Sequence, residues 1–225
     1  MPMKPTEEVL GRRLNDVEER HAPQSLDSRG DVRLLSPGRV RVALVGSRGA
    51  SDHGLRRSRR LARLLAKEGI IVVSGLARGI DTAAHRGAIG AGGRTIAVLG
   101  TGIDCCYPPE NQALQEEIAR HHLLVSQFPQ GSPPRKHSFP QRNRTMALVS
   151  DATVIIEAGD TSGTLHQGWE ALRLARPLFL LQSILERDLQ WPEKMLQYGA
   201  KVLRNVEDVL AEIPSPEASP VALAI

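Results

Sequence analysis

The sequence predicts an α/β fold, a mostly parallel sheet with helices on both faces. Two observations carry this reading. Six short runs, at 40–45, 70–74, 95–99, 123–126, 153–157 and 178–182, are almost wholly apolar, as strands covered on both faces are. Most of the segments between them place apolar residues at helical spacing, and strands alternating with helices imply right-handed βαβ units.

Taken in order, the runs also mark where a ligand would sit, because such sheets bind at the carboxyl ends of their strands. "VRVALV" leads into Gly46-Ser47-Arg48, and "IIVVS" into Gly75-Leu76-Ala77-Arg78-Gly79. The third run is followed by Gly100-Thr101-Gly102, and the fourth by Phe128-Pro129 and a long loop. The fifth is followed by Glu157-Ala158-Gly159-Asp160-Thr161-Ser162-Gly163-Thr164. Glycines and small residues crowd this edge.

Three units are expected. Residues 1–38 are polar and broken by Pro and Gly, and read as a tail or one appended helix. Residues 39–213 form the α/β domain. Residues 214–225, within "PSPEASPVALAI", are Pro/Ser-rich and read as a flexible tail.

Of the 225 residues, 41% are hydrophobic and 24% charged, ordinary values for a globular protein, and the net charge of +4 mildly favours an anionic partner. No run approaches the roughly 18 apolar residues of a membrane span, and "MPMKPTEEVLGRR" lacks a signal-peptide core. Cytoplasm is therefore the expected location, and no membrane partner is expected. The only cysteines, Cys105 and Cys106, are adjacent and accompanied by no zinc-like cluster. They read as reduced thiols, so no metal and no cofactor are expected.

"GDTSGT" (159–164) is the clearest anion site. Ser162, Gly163 and Thr164 would set hydroxyls and free N–H groups at the positive end of a helix; plain N-capping by Ser or Thr is the alternative. No Gly-Lys-Ser/Thr of a phosphate loop follows, and no G-x-G-x-x-G occurs in "GTGIDC" or "GSRGAS", so nicotinamide dinucleotide binding is not expected. The helix after Gly46 carries Arg56, Arg57, Arg59, Arg60, Arg63 and Lys67 with no acid between Asp52 and Glu68; a solvated basic face is the plain reading. The loop 129–144, "PQGSPPRKHSFPQRNR", holds Arg135, Lys136, Arg142 and Arg144 around Phe139, within an acid-free stretch from 118 to 150. Cations beside an aromatic face suit single-stranded nucleic acid, while Phe139 as a core plug is the alternative.

Together "VALVGSR", "SGLARGIDTAAHRGAI", "GGRTIAVLGTGID", "YPPEN", "FPQRNR", "LVSDATVIIEAG" and "SGTL" resemble the DNA-processing protein A (DprA/Smf) family, in order and over roughly residues 40–165. The resemblance implies an extended Rossmann-like fold that binds single-stranded DNA without catalysis. It also implies a homodimer that works with the RecA recombinase in natural transformation. By position it implies that Arg48 contacts a DNA phosphate beside Gly46 and Ser47. Gly75, Arg78, Gly79, Ser162, Gly163 and Thr164 would wall an anionic pocket. Lys136, Arg142, Asn143 and Arg144 would meet the backbone, and Phe139 would stack on a base or line the pocket. The family's additional C-terminal helical domain is not expected here.

Nucleotide-binding relatives of the same superfamily are the rival reading, either a nucleotide sensor or a nucleoside-monophosphate phosphoribohydrolase. The hydrolases carry a Glu three residues after the Gly-Thr helix start, where this chain has Gln167; Glu157 is a lone acid with no base paired to it at a recognisable spacing. A closed pocket faced by Glu157 would favour a nucleotide, and an open groove past Phe139 a polymer.

Overall fold

The computed structural model describes residues 3–213. Its sheet has nine strands in the order β1-β2-β6-β5-β4-β3-β7-β8-β9. All six apolar runs are strands: β3 (Arg41–Gly46), β4 (Ile71–Ser74), β5 (Thr95–Leu99), β6 (Leu123–Ser126), β7 (Ala152–Glu157) and β8 (Leu178–Leu181). They pair in parallel, and β9 (Lys201–Leu203) extends them beside β8. The expected α/β class and its mostly parallel sheet hold.

Alternation along each strand divides the core in two. Val42, Leu44, Val72, Val154 and Ile156 pack on one face with Leu61 and Leu65 of α3 (Asp52–Lys67) and Ile80 and Ala84 of α4 (Ile80–Ile89). Ala43, Val45, Val73, Val98 and Ile155 pack on the other face with Met146 and Leu148 of α6 (Ser138–Leu148). Period-two side-chain direction puts neighbours on opposite faces, so a run apolar throughout must be covered twice. Behind β5 and β6, α5 (Gln112–His121) contributes Leu114 and Ile118.

The N-terminal segment, read from sequence as a tail or one appended helix, holds two strands and two short α-helices. β1 (Lys4–Pro5) pairs antiparallel with β2 (Ser25–Gly30), and β2 pairs antiparallel with β6 over Asp27↔Ser126 to Gly30↔Leu123. Between them lie α1 (Thr6–Leu10) and α2 (Asp16–Glu19). Leu10, Leu26, Leu34 and Leu35 enter the main core. Glu18, 2% exposed, accepts from Arg12 Nη1 and Nη2 at 2.7 Å each and from Arg176 Nη2 at 2.9 Å. Burial alone would raise the Glu18 carboxyl, but hydrogen bonds from Arg12 and the Asn15 backbone hold it below the usual range. An ion-paired carboxylate therefore ties this segment to the turn before β8. The expected flexible tail at 214–225 lies outside the described residues.

The remaining elements are α7 (Thr164–Arg173), α8 (Gln182–Leu185), α9 (Trp191–Gln197) and α10 (Glu207–Leu210). No described helix is long and apolar enough to cross a membrane. Strands β3 and β7 are sequence-remote neighbours at the point where strand order reverses. Their carboxyl ends form the crevice where this architecture takes ligands.

Candidate nucleic-acid interface

The two glycine turns that follow β3 and β4 touch. Ser47 N–H donates to Glu157 O of β7 at 2.8 Å, and Ile80 N–H donates to Ser47 O at 3.2 Å. Gly79 permits this approach. Its φ is 75°, and a Cβ there would lie 2.4 Å from Ser47 O. Arg48 is thereby lifted onto the rim, exposed, and among the described residues it makes no ion pair. Its guanidinium carbon lies 4.8 Å from the centre of the Phe139 ring, a cation–π geometry.

Below Arg48 opens a cavity of about 790 Å³. Ten of the expected residues line it: Gly46, Ser47, Arg48, Lys136, Phe139, Arg142, Asn143, Ser162, Gly163 and Thr164. The loop before α7 forms the far wall, where Ser162 Oγ accepts from Thr164 N–H at 3.2 Å and no side chain caps the helix. The first-turn N–H groups are engaged within the loop, Thr164 on Ser162 Oγ, Leu165 on Ser162 O and His166 on Gly163 O, so this wall offers the cavity the positive end of α7 rather than free donors. Gly75 and Arg78 line a neighbouring cavity of about 380 Å³. Arg48, Phe139 and Tyr107 belong to both linings and form the partition. Gly79 lines neither and acts through the turn.

Tyr107, which opens "YPPEN", joins the site. It is 39% exposed, and its ring centre lies 5.7 Å from that of Phe139. An aromatic opening the Pro-rich stretch "YPPEN", in a chain with only 3% aromatics, is the sequence signal that points to it.

The segment read as a loop over 129–144 becomes helix α6 from Ser138 onward, and this separates its arginines. Arg142 is 5% exposed and points inward. Its Nη1 donates to Gly75 O at 2.6 Å and Val98 O at 2.9 Å, and its Nε donates to Asn143 Oδ1 at 3.1 Å. A Cβ on Gly75 would lie 1.9 Å from that Nη1, so glycine here makes room for Arg142. Burial lowers the Arg142 pKa and raises that of buried Asp81, while each favours the other's charged form. Asp81 also accepts from Gly75 N–H at 3.2 Å and Ala77 N–H at 3.3 Å. Nη1 and Nε of Arg142 are thus engaged on the ends of β4 and β5 and on Asn143, while the residue still lines both cavities. Arg144 lines neither cavity; its Nε donates to Glu170 at 3.1 Å. Asn143 donates to Gly163 O at 3.2 Å, bracing the loop before α7. Arg78 is exposed and paired with Glu110.

The groups that hydrolysis would need are engaged elsewhere. Glu157 is absent from the cavity lining and accepts from Ser51 N–H at 2.9 Å and Ser51 Oγ at 2.5 Å. Gln167 lines the cavity but is fully buried, its side-chain amide 3.3 Å from Thr153 Oγ1, and it is not an acid. Among the described lining residues Asp81 is the one carboxylate, against Arg48, Lys136 and Arg142. No group of three acidic, His or Cys residues among the described residues could hold a metal.

Comparison with known proteins places this geometry. The DNA processing protein DprA of Bacillus subtilis is 36% identical over 193 residues, covering 85% of this chain and 65% of that protein. Across this and two further curated relatives, the chain spans 44–67% of their length. The X-ray structure of DprA from Streptococcus pneumoniae superposes with a TM-score of 0.79 at 36% identity, covering 95% of this chain and 74% of that one. DNA processing protein A from Helicobacter pylori, described for its single-stranded DNA binding mode, gives 0.77 at 29% identity and covers 90% and 95% of the two chains. The family model for DNA recombination-mediator protein A matches residues 5–214, sheet, cavity and N-terminal segment together, and the chain belongs to that family.

Proposed function

We propose that this chain binds single-stranded DNA in the cavity at the ends of β3 and β7, without catalysis, as a cytoplasmic DNA-processing protein of recombination and natural transformation. The observation that carries the reading is Arg48, a cation with no ion pair among the described residues, held over the Phe139 ring at the mouth of a cavity with one buried carboxylate among its described lining. Arg48 and Lys136 supply charge to phosphates, the positive end of α7 favours another, and Phe139 and Tyr107 offer π-faces to bases. Aromatic stacking tolerates every base, so affinity depends on strandedness more than on sequence. The H. pylori relative's described single-stranded DNA binding supports the same assignment here.

The family resemblance extends the proposal to a homodimer and to RecA as partner. Tyr198, 65% exposed and edge-on to Trp169 at 5.4 Å, supports a protein-contact face at α7 and α9. The test of the ligand is a titration of a labelled oligonucleotide, its duplex and mononucleotides. Preference for the single strand is the expected result; tighter binding of a mononucleotide overturns the reading in favour of a nucleotide site.

A further inference from the structure

Helix α3 carries charge that the cavity does not use. Residues 52–90 hold eight Lys/Arg against three Asp/Glu, a net of five positive charges where the whole chain nets four. Arg56, Arg60, Arg63 and Lys67 follow one another at spacings of four, three and four, one row on a helix surface. Gly54, Ser58, Leu61, Ala62 and Leu65 are buried on the opposite side, and all four cations are exposed.

Other helices of this protein pair surface cations, as in Arg120–Glu116 on α5 and Arg173–Glu170 on α7. Among the described residues no carboxylate pairs with any of these four; Arg56 meets only His53, at 3.1 Å. The nearby acids on α3 are Asp52 at its first position and Glu68 just past its end. Like charges three and four residues apart repel, and an anion lying along the row relieves that repulsion.

The row begins at the cavity. Arg48 and Gly49 line it, Ser51 caps α3, and Arg56 stands on the second turn. From Arg56 to Lys67 the row rises about 16 Å, enough for about four phosphates at 3.4 Å or more per nucleotide. The four positions offer charge and no aromatic or amide, which suits the backbone of a strand and not its bases.

We propose that α3 is a phosphate track that continues the cavity: a single strand seated there lays its emerging backbone along Arg56, Arg60, Arg63 and Lys67. The inference rests on the single-strand reading of the cavity and makes affinity grow with strand length beyond it.

The test combines Arg56→Gln, Arg60→Gln, Arg63→Gln and Lys67→Gln, since Gln supports a helix about as well as Arg and Lys. Folding is checked by circular dichroism melting. Fluorescence anisotropy then measures hexathymidylate and an oligothymidylate of about 25 nucleotides across salt. The variant should bind the hexamer within about twofold of the parent and lose tenfold or more on the long strand. Its log–log salt slope on the long strand should fall by about 2–3, at roughly 0.7 per phosphate released. An unchanged long-strand affinity and slope in the folded variant overturns the track, and so does an equal loss on both lengths, which marks a general field effect. Failure of the parent protein to bind either strand refutes the cavity reading itself, a result distinct from both.

Discussion

Arg142→Met keeps most of the side-chain volume and deletes the guanidinium that ties Gly75 O and Val98 O to α6. Hydrogen bonds to charged groups contribute about 1.5–3 kcal/mol each, and removing one partner of a buried charge pair costs about 3–5 kcal/mol. Asp81 is already pushed toward protonation by its burial, so part of the cost of leaving it alone is avoided. We expect a loss of about 3–4 kcal/mol, which for a domain of this size lowers Tm by roughly 6–16 °C. Differential scanning calorimetry and urea unfolding measure it, and anisotropy on the folded fraction measures DNA affinity. A variant that melts with the parent but loses binding refutes the structural assignment and returns Arg142 to the ligand. Gly75→Ala sharpens the test. Its Cβ would collide with Arg142 Nη1, so it should destabilise the parent strongly and cost much less in the Arg142→Met background, a coupling that independent sites do not show.

Arg48→Ala should weaken all single strands alike and lower the salt slope by about 0.7, with Tm unchanged because the side chain makes no ion pair among the described residues; a fall in Tm without loss of affinity contradicts it. Phe139→Ala should cost about 1–3 kcal/mol of binding, roughly five- to a hundred-fold, with Phe139→Trp retaining most; unchanged affinity in a folded Phe139→Ala protein removes the ring from the site. Glu18→Gln leaves Arg12 and Arg176 facing a neutral group and should cost about 3–5 kcal/mol, read by urea unfolding; a neutral effect contradicts the clamp. Burial holds His85 down to about 3 and His122 down to about 4. A depressed folded pKa favours the neutral form, so the contribution is present above pH 6.5 and lost as pH falls toward those values. At pH 5, His85 alone should remove about 2 kcal/mol, and stability equal at pH 7.5 and pH 5 contradicts it.

The six central strands were legible because burial on both faces leaves few polar positions, such as Thr153 and Ser74, to confuse the period. "SLDSRG" and "KVL" were not, since β2 and β9 lie toward the margins of the sheet and keep polar or exposed residues. Helix α6 was hidden by the Pro-rich approach and by Pro140, which stands in its first turn, where a missing N–H costs nothing. Reading that stretch as a loop treated Arg142 and Arg144 alike. On a helix, residues two apart point to nearly opposite sides, so one turned into the core and the other out to Glu170. The glycine turns were legible as an edge, whereas the contact between them depends on Gly79 meeting Ser47, which no local pattern announces.

The antiparallel pairing of β2 with β6 has a consequence for how the chain is made. Gly30 lies opposite Leu123, so β2 leaves the ribosome long before its partner exists. At about 5–20 residues per second, that separation is roughly 5–20 s during which the N-terminal segment has no strand to join. Loop closure over such a distance is also slow to be rewarded in folding. The last step of assembly would then be the return of residues synthesised well before β6, closing the edge of a sheet built after them. Until that step the β6 edge is open to strands of other molecules, and crowding of nascent chains becomes the point at which this protein is most exposed to misassembly.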